Sequence, residues 1–206
     1  MSVSRETLIS TYFGERQEEV ARFAQILATW GIERGLVGPK EGDRIWDRHI
    51  ANCLPVTTLI SKEASLLDIG SGAGLPGIVI ALARPDLQVT LLEPLQRRID
   101  FLEEVVAELG IEVSVKRGRA ESFKGGFNYV TARAVAPLPK LATVSWHLVM
   151  GGGSLLAMKG ESAAAELEAA KLEAPKVFKK VAKAEIHEIS LGDLPLARVI
   201  ELKKAG

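Results

Sequence analysis

The sequence predicts an α/β protein built on a doubly wound, mostly parallel sheet of seven strands, with an antiparallel pair at one edge. From residue 65 onward, short apolar runs alternate with helical patterns, which is typical of a parallel sheet covered by helices. The last two apolar runs follow each other with only a short link, which predicts the antiparallel pair. Before residue 65, apolar positions repeat with helical spacing and predict an N-terminal helical extension.

Composition excludes several classes of protein. The chain has 206 residues, with 26 basic and 26 acidic side chains and no net charge, so it is neither a polybasic coat protein nor an acidic tail. A hydrophobic content of 47% argues against disorder. A single cysteine excludes a multi-cysteine metal site, and no metal is expected. Because no signal peptide or membrane-spanning run is visible, we expect a cytoplasmic monomer without membrane contact.

The pattern divides the chain into a helical extension over residues 1–64 and a core over residues 65–206. In the extension, an apolar stripe at helical spacing runs from Ile9 to Trp30, which predicts one buried helix face. A second short helix is predicted at about 41–52 and is expected to end at Pro55.

The core elements follow from apolar periodicity and from glycine or proline punctuation. Three consecutive glycines, Gly151–Gly153, predict a turn before the fifth strand. The predicted strands cover residues 65–69, 88–93, 111–116, 127–132, 154–158, 181–189 and 196–203, and the predicted helices cover 75–83, 95–109, 139–149 and 161–172.

A glycine-rich loop joins the first predicted strand to its helix. The loop reads DIGSGAGLPG and holds Asp68, Gly70, Gly72, Gly74 and Leu75. It lacks the Gly-Lys-Ser/Thr ending of a P-loop, and Leu75 stands where a dinucleotide site needs its third glycine. An acid followed by G-x-G-x-G resembles motif I of the class I S-adenosylmethionine-dependent methyltransferases, which have a Rossmann-like fold. Glycines allow positive φ and close approach of a ligand to the backbone.

Two further positions fit that class. Glu93 ends the second strand, where an acid accepts the ribose hydroxyls. Ala120 and Glu121 follow the third strand, where this class holds adenine. A plain structural turn is one alternative for the loop. A dehydrogenase, which also places an acid near Glu93, is another.

The class of methyl acceptor can be narrowed by the catalytic side chains that each acceptor atom requires. Methylation of cytosine carbon-5 needs a cysteine nucleophile, but Cys53 lies before the sheet in an apolar helical segment, where core packing explains it. Methylation of the adenine amine often uses an Asn/Asp-Pro-Pro-aromatic run after strand four, where this chain reads NYVTARAVAP. Guanine N7 has a free lone pair and no proton to lose, so the absence of an evident base is compatible with that acceptor.

The run LLDIGSGAGLPGIVIALARPDLQVTLLEPLQRRIDFL, followed by GRAESF, TARAVAPL and LLAMKG, resembles the RsmG (GidB) family. These are bacterial methyltransferases for guanine N7 in small-subunit (16S) ribosomal RNA. The resemblance extends over nearly the whole chain. It implies S-adenosylmethionine as cofactor, and small-subunit rRNA or the assembling small ribosomal subunit as partner.

The resemblance also implies roles for individual residues. Gly70 and Leu75 are expected to line the cofactor pocket, together with the rest of the glycine loop. Glu93 is expected at the ribose, with Ala120 and Glu121 at the adenine. Arg133 matches the family's arginine after strand four, near the cofactor and the acceptor, and is predicted both to bind the cofactor and to be the catalytic residue. A structural salt bridge is the alternative for Arg133.

Three basic residues are predicted RNA contacts. Arg119 lies in the window 116–140, which holds six basic groups and one acid, and falls where open α/β sheets bind ligands. Lys159 follows strand five, and His49 belongs to the WDRH segment of the extension. A solvated loop cluster and a capping histidine are the alternatives. The same sequence leaves open a methyltransferase for a small molecule or protein, and a nucleotide-binding regulator without catalysis.

Overall fold

A seven-stranded sheet forms the centre of the molecule in a computed structural model that describes residues 5–206. The strand order is β3-β2-β1-β4-β5-β7-β6. Strands β1 to β5 pair in parallel, and β7 pairs antiparallel with both β5 and β6. This confirms the predicted sheet and its edge pair. The strands are β1 Ser65–Ile69, β2 Gln88–Glu93, β3 Val113–Arg117, β4 Phe127–Arg133, β5 Val149–Lys159, β6 Val181–Ile189 and β7 Ala197–Lys204.

Helices cover both faces of the sheet because successive strand residues point to opposite sides. In β1, Leu66 belongs to the hydrophobic cluster under α3 (Gly77–Ala83) and α4 (Gln96–Leu109). Leu67 belongs to the cluster on the other face, under α5 (Leu138–Ser145) and α6 (Ala163–Glu173). Within residues 5–206, no helix is long and apolar enough to cross a membrane. The α-helices are α1 Arg5–Tyr12, α2 Gln17–Ile26, α3 Gly77–Ala83, α4 Gln96–Leu109, α5 Leu138–Ser145, α6 Ala163–Glu173 and α7 Pro175–Phe178.

The extension packs against the core through α2, which contacts α3 and α4. Val20, Phe23 and Leu27 of the predicted stripe are fully buried. Two ion pairs join the extension to α4, Arg22 with Glu108 at 2.7 Å and Arg34 with Glu104 at 2.6 Å. The division of the chain at residue 64 stays a prediction, and residues 1–4 of the extension lie outside the described part.

The second half of the extension is helical, as predicted, but in tight and wide turns rather than one helix. Pro39–Arg44 is a 3₁₀-helix, Ile45–Ile50 a π-helix and Ala51–Cys53 another 3₁₀ turn. The prediction of one regular helix is therefore wrong, although its last turn does end before Pro55, at Cys53, and Pro55 opens a separate 3₁₀-helix, Pro55–Leu59. Proline is accepted at a first helical position, since the N–H it lacks has no partner there.

The prediction of a turn at Gly151–Gly153 is also wrong. These glycines lie inside β5, which begins at Val149, and the preceding α-helix ends at Ser145. At Gly153 an added Cβ would lie 2.4 Å from the Asn128 carbonyl oxygen of the neighbouring β4. The pairing register shifts nearby, between Phe127 and Tyr129. Glycine at position 153 therefore allows the backbones of β4 and β5 to approach closely next to an irregularity in their pairing.

Candidate functional site

Two neighbouring clefts open at the carboxyl ends of the central strands, where the strand order reverses between β1 and β4. The first cleft, about 440 Å³, lies among the loops after β1, β2, β3 and β4 and the start of α5. The second cleft, about 460 Å³, lies between Asn52, the ends of β4 and β5, and the start of β7. Ala134 lines both. Its φ of +56° is a strained backbone conformation for alanine.

The glycine loop meets the first cleft at Gly70, and two of its glycines are required by close contacts. Gly70 has φ +67°, and an added Cβ would lie 2.8 Å from Cγ2 of Val135, which follows β4. Gly74 has φ +89°, and an added Cβ would lie 2.4 Å from Cδ1 of Ile78 in α3. Larger residues at these positions would push the loop away from the sheet.

Two buried acids hold this loop. The Gly77 N–H donates to Oδ2 of Asp68 at 3.1 Å, and the Gly72 N–H donates to Oε2 of Glu93 at 3.1 Å. The other oxygen of Glu93 accepts the N–H of Leu95, also at 3.1 Å. Since both carboxyl groups come from strand residues, the loop is fixed at both ends to the rigid sheet.

Asp68 is an unusual carboxyl group. It is fully buried, and its Oδ1 has no hydrogen-bond partner among the described residues. Burial raises the pKa of Asp68 to about 7, against the opposing effects of the Gly77 N–H and the positive charge of Arg133. Burial dominates because a buried carboxylate loses its hydration. Asp68 is therefore poised to change charge near neutral pH.

The first cleft fits S-adenosylmethionine. Ala120 and Leu141 give it an apolar wall, and the buried carboxylate of Glu93 lies at its floor. The buried Nε of Arg98, which lines the cleft, has no partner among the described residues. The volume of the first cleft lies in the range of small-molecule sites, roughly 300–1,000 Å³.

Arg133 lines the second cleft and is held by the extension. Its Nη2 lies 3.0 Å from Nδ1 of His49, and Nη1 donates to the His49 carbonyl at 3.4 Å and to Sγ of Cys53 at 3.5 Å. Within the described residues, Arg133 forms no ion pair. Burial raises the pKa of Cys53 to about 11, so its thiol stays protonated and does not act as a nucleophile.

The predicted site residues separate into three groups. The first cleft is lined by Gly70, Glu93, Arg119, Ala120 and Glu121, and the second by Arg133 and Lys159. Asp68, Gly72, Gly74 and Leu75 support the first cleft from the loop and its surroundings without lining it, and His49 lies behind Arg133.

Lys159 is engaged within the protein. Its Nζ lies 2.7 Å from Oε2 of Glu166 and donates to the Ala136 carbonyl at 2.7 Å, and its side chain is only 10% exposed. The same Glu166 oxygen accepts the Leu138 N–H at 2.9 Å. Lys159 and Glu166 thus hold the loop that follows Ala134.

Among the cleft residues that sequence reasoning missed are Asn52, Val135, Leu196 and Arg198. Leu196 and Arg198 could have been found, because an antiparallel β7 begins at the edge where its parallel neighbours end. Asn52 carried no signal, since its position depends on the non-α turns of the extension.

A separate group of titratable side chains lies on the edge pair. His187, which had no partner pattern in the sequence, places Nε2 2.8 Å from Oε2 of Glu201 and 3.8 Å from Oε2 of Glu185. Ser154 and Lys183 also contact these two carboxylates. The group is a cross-strand ion-pair network on β6 and β7.

The strand order and the glycine loop held by two strand acids define a class I S-adenosylmethionine-dependent methyltransferase. Solved structures share this fold. A methyltransferase from Pyrococcus furiosus has a TM-score of 0.59 at 15% identity, covering 94% of this chain and 100% of that one. A structure of PigF with SAH has a TM-score of 0.57 at 19% identity, covering 97% and 71%.

Sequence comparison identifies the family. The model of rRNA small subunit methyltransferase G (GidB) matches residues 16–194. Proteins named ribosomal RNA small subunit methyltransferase G are 52% identical in Kineococcus radiotolerans, over 79% of this chain and 65% of that protein, and 47% identical in Mycobacterium sp. strain KMS, over 94% and 88%. The chain belongs to the rRNA small subunit methyltransferase G family. It spans about two thirds of the Kineococcus relative's length.

Proposed function

We propose that this protein transfers the methyl group of S-adenosylmethionine to N7 of a guanine in 16S rRNA of the small ribosomal subunit. Family membership supports the reaction class and the RNA. The observation that carries the proposal is the pair of adjoining clefts that meet at Ala134. One cleft fits the cofactor and the other is open to an acceptor, so that donor and acceptor atoms meet at their boundary.

The chemistry at that boundary needs positioning rather than proton transfer. Bound S-adenosylmethionine supplies the methyl group on a sulfonium. The N7 lone pair forms the new N–C bond as the C–S bond breaks, and no proton leaves the base. The second cleft suits this step, because Arg133, which lines it, donates hydrogen bonds and cannot take up a proton.

Arg133 keeps donors available for the base. A guanidinium has five N–H groups. The contacts with His49 and Cys53 use Nη1 and one N–H of Nη2. Arginine is a common partner of the guanine O6 edge. We therefore propose that Arg133 orients the guanine by donating to O6, which leaves N7 free to attack.

The rim of the first cleft supports an RNA partner. Arg119 and Lys140 line this cleft, are exposed, and form no ion pair with the described residues. Unpaired cations at a cleft mouth attract phosphate groups even when the whole chain has no net charge. We propose Arg119 as an RNA contact. An RNA contact by Lys159 would require exchange of its bond with Glu166.

Two further expectations remain proposals. We propose that the protein acts as a monomer. Sedimentation of the purified protein tests this. An rRNA substrate supports a cytoplasmic location.

The proposal is tested with small ribosomal subunits from cells that lack this gene. The subunits are incubated with the protein and radiolabelled S-adenosylmethionine, and the RNA is then analysed for strand scission at 7-methylguanine. We expect label in 16S rRNA and scission at a single guanine. Free 16S rRNA is assayed in parallel, to distinguish RNA from the assembled subunit as substrate.

The contrary results are distinct. Binding of the cofactor without label in RNA would contradict the acceptor and favour a small-molecule or protein substrate. Label in RNA without scission would keep the RNA substrate and contradict N7 as the acceptor atom.

A further inference from the structure

The orientation of Arg133 depends on a segment outside the methyltransferase core. Within residues 5–206, the three hydrogen bonds of its guanidinium go to His49 and Cys53, in the π- and 3₁₀-helical part of the extension. Asn52 of the same segment lines the second cleft. The extension therefore forms one wall of this cleft and supplies the groups that direct Arg133.

The hydrogen bonds fix the chemical form of His49. A guanidinium only donates, so Nδ1 of His49, 3.0 Å from Nη2 of Arg133, must offer its lone pair. The proton of the neutral ring is then on Nε2, which lies 3.1 Å from Oε2 of Glu41. A carboxylate accepts this proton, so Glu41 stabilises the tautomer that Arg133 requires. Both ring nitrogens are thus engaged, and the side chain is only 15% exposed.

We propose that His49 is a positioning residue for methyl transfer: its Nδ1 lone pair holds the Arg133 guanidinium against the second cleft, and Glu41 holds the ring in the Nε2–H tautomer. The proposal rests on the proposed function, in which Arg133 orients the guanine. It replaces a direct RNA contact by His49 with an indirect role. It also gives the extension a part in the reaction.

The charges around His49 give this arrangement a pH dependence. Glu41 and Arg48 face the ring from the extension and Arg133 faces it from β4, while Cys53 and Asp68 lie beyond Arg133. Burial and then the charge of Arg133 lower the pKa of His49 below its usual 6.5, against the opposing effect of Glu41. Protonation would place an N–H on Nδ1, facing the guanidinium, and break the bond. Activity should therefore be lost as the pH falls through the lowered pKa of His49.

A matched pair of amide variants tests the proposal. In His49→Asn, the amide oxygen can take the place of Nδ1, whereas His49→Gln carries its amide at the distance of Nε2 and leaves Arg133 without that acceptor. We expect His49→Gln to lower kcat by roughly 10- to 100-fold and His49→Asn by less than about threefold. Cofactor affinity, measured by calorimetry, should change little in either variant.

The pH profile separates positioning from simple structural support. Wild type should show an acid limb in kcat on subunit RNA, and His49→Asn should lack it, because an amide does not titrate. Equal losses in the two variants, or an acid limb below pH 6.5 that persists in His49→Asn, would overturn the proposal. Lys40→Gln is the control and should keep the wild-type kcat and acid limb, since Lys40 lies in the same part of the extension, is exposed and forms no ion pair within the described residues.

A second readout does not need RNA. The chain has three histidines, so ¹⁵N NMR of histidine-labelled protein can assign His49 by its loss in His49→Asn. We expect an unprotonated Nδ1 and a protonated Nε2 at neutral pH. The opposite tautomer would overturn the proposal. If wild type fails to methylate RNA, the proposed function fails, and the spectrum still decides whether His49 accepts the bond from Arg133.

Discussion

The first and second clefts have similar volumes, about 440 and 460 Å³, but are built in different ways. The first is formed by the loops at the ends of consecutive core strands, and its glycine loop is held by the strand acids Asp68 and Glu93. The second joins segments that are distant in the chain: Asn52, Arg133, Lys159 and Arg198. A local sequence motif can thus encode much of a cofactor site. The proposed acceptor site depends instead on how the extension and the edge strands pack against the core.

The comparison predicts its largest effect for Arg133→Ala. Because Arg133 lines the second cleft, this change should lower kcat about 100-fold or more. Cofactor affinity should stay within about threefold, since the first cleft is untouched. Arg133→Lys should restore little, because an ammonium lacks the planar fork that serves His49 and a base together.

Calorimetry with S-adenosylmethionine and methylation of small subunits give the two readings. Unfolding curves of the variants control for damage to the fold. A parallel loss of cofactor affinity and kcat would contradict the separation of the two clefts.

The next effect concerns the first cleft and the variant Gly74→Ala. The new Cβ would collide with Ile78, in addition to the strain at φ +89°. Gly110→Ala is a matched control, because Gly110 has φ +60° and nothing within 4 Å of the added Cβ. We expect Gly74→Ala to be less stable than the control by about 1–3 kcal/mol and to lose cofactor binding. Urea unfolding and calorimetry measure both, and equal stability of the two variants would contradict the close packing of the loop.

The sequence allowed most of the core to be predicted, because local signals coincide there with tertiary packing. Strands β1 and β2 were predicted with their observed bounds, since apolar runs end at Asp68-Ile69 and at Glu93. The predicted start of β5 was wrong, because glycine commonly marks a turn. Only the close approach of the Asn128 carbonyl in the folded protein explains why Gly153 lies in a strand.

The second cleft shows the limit of the motif. Arg133 was found by family resemblance, but its hydrogen bonds with His49 and Cys53 join residues about 80 positions apart in the chain. No local pattern reports such a contact. Lys159 was predicted to contact RNA, because its pairing with Glu166 of the next helix is not evident from the sequence. Residue types were thus predictable, while their partners depended on packing.

A further prediction concerns the buried carboxyl group of Asp68, whose substitution changes stability but not the shape of either cleft. The folded pKa of about 7 lies above the value of an unfolded chain, so ionisation destabilises the fold as the pH rises from about 4 through 7. Asp68→Asn keeps an acceptor for the Gly77 N–H and cannot ionise. Relative to wild type, the variant should therefore gain roughly 2–3 kcal/mol of stability between pH 5 and pH 8. Urea unfolding without cofactor measures this, and a difference that does not vary with pH would contradict the raised pKa.

The smallest effect concerns the rim of the first cleft. If Arg119 contacts one phosphate, Arg119→Gln should weaken RNA binding and reduce the slope of log K against log salt by about 0.7. Lys176→Gln is the control, because Lys176 is also exposed but precedes β6, at the opposite end of the sheet. Filter binding at several salt concentrations compares the two, and equal slopes would remove Arg119 from the RNA surface.

The most direct test of the two-cleft arrangement is a crystal structure of the protein with S-adenosylhomocysteine. We expect adenine against Ala120, ribose hydroxyls at Glu93, and the sulfur atom at Ala134, facing the cleft that Arg133 lines. A product bound in the first cleft with its sulfur directed away from Arg133 would contradict the central claim, because no guanine held in the second cleft could then receive the methyl group.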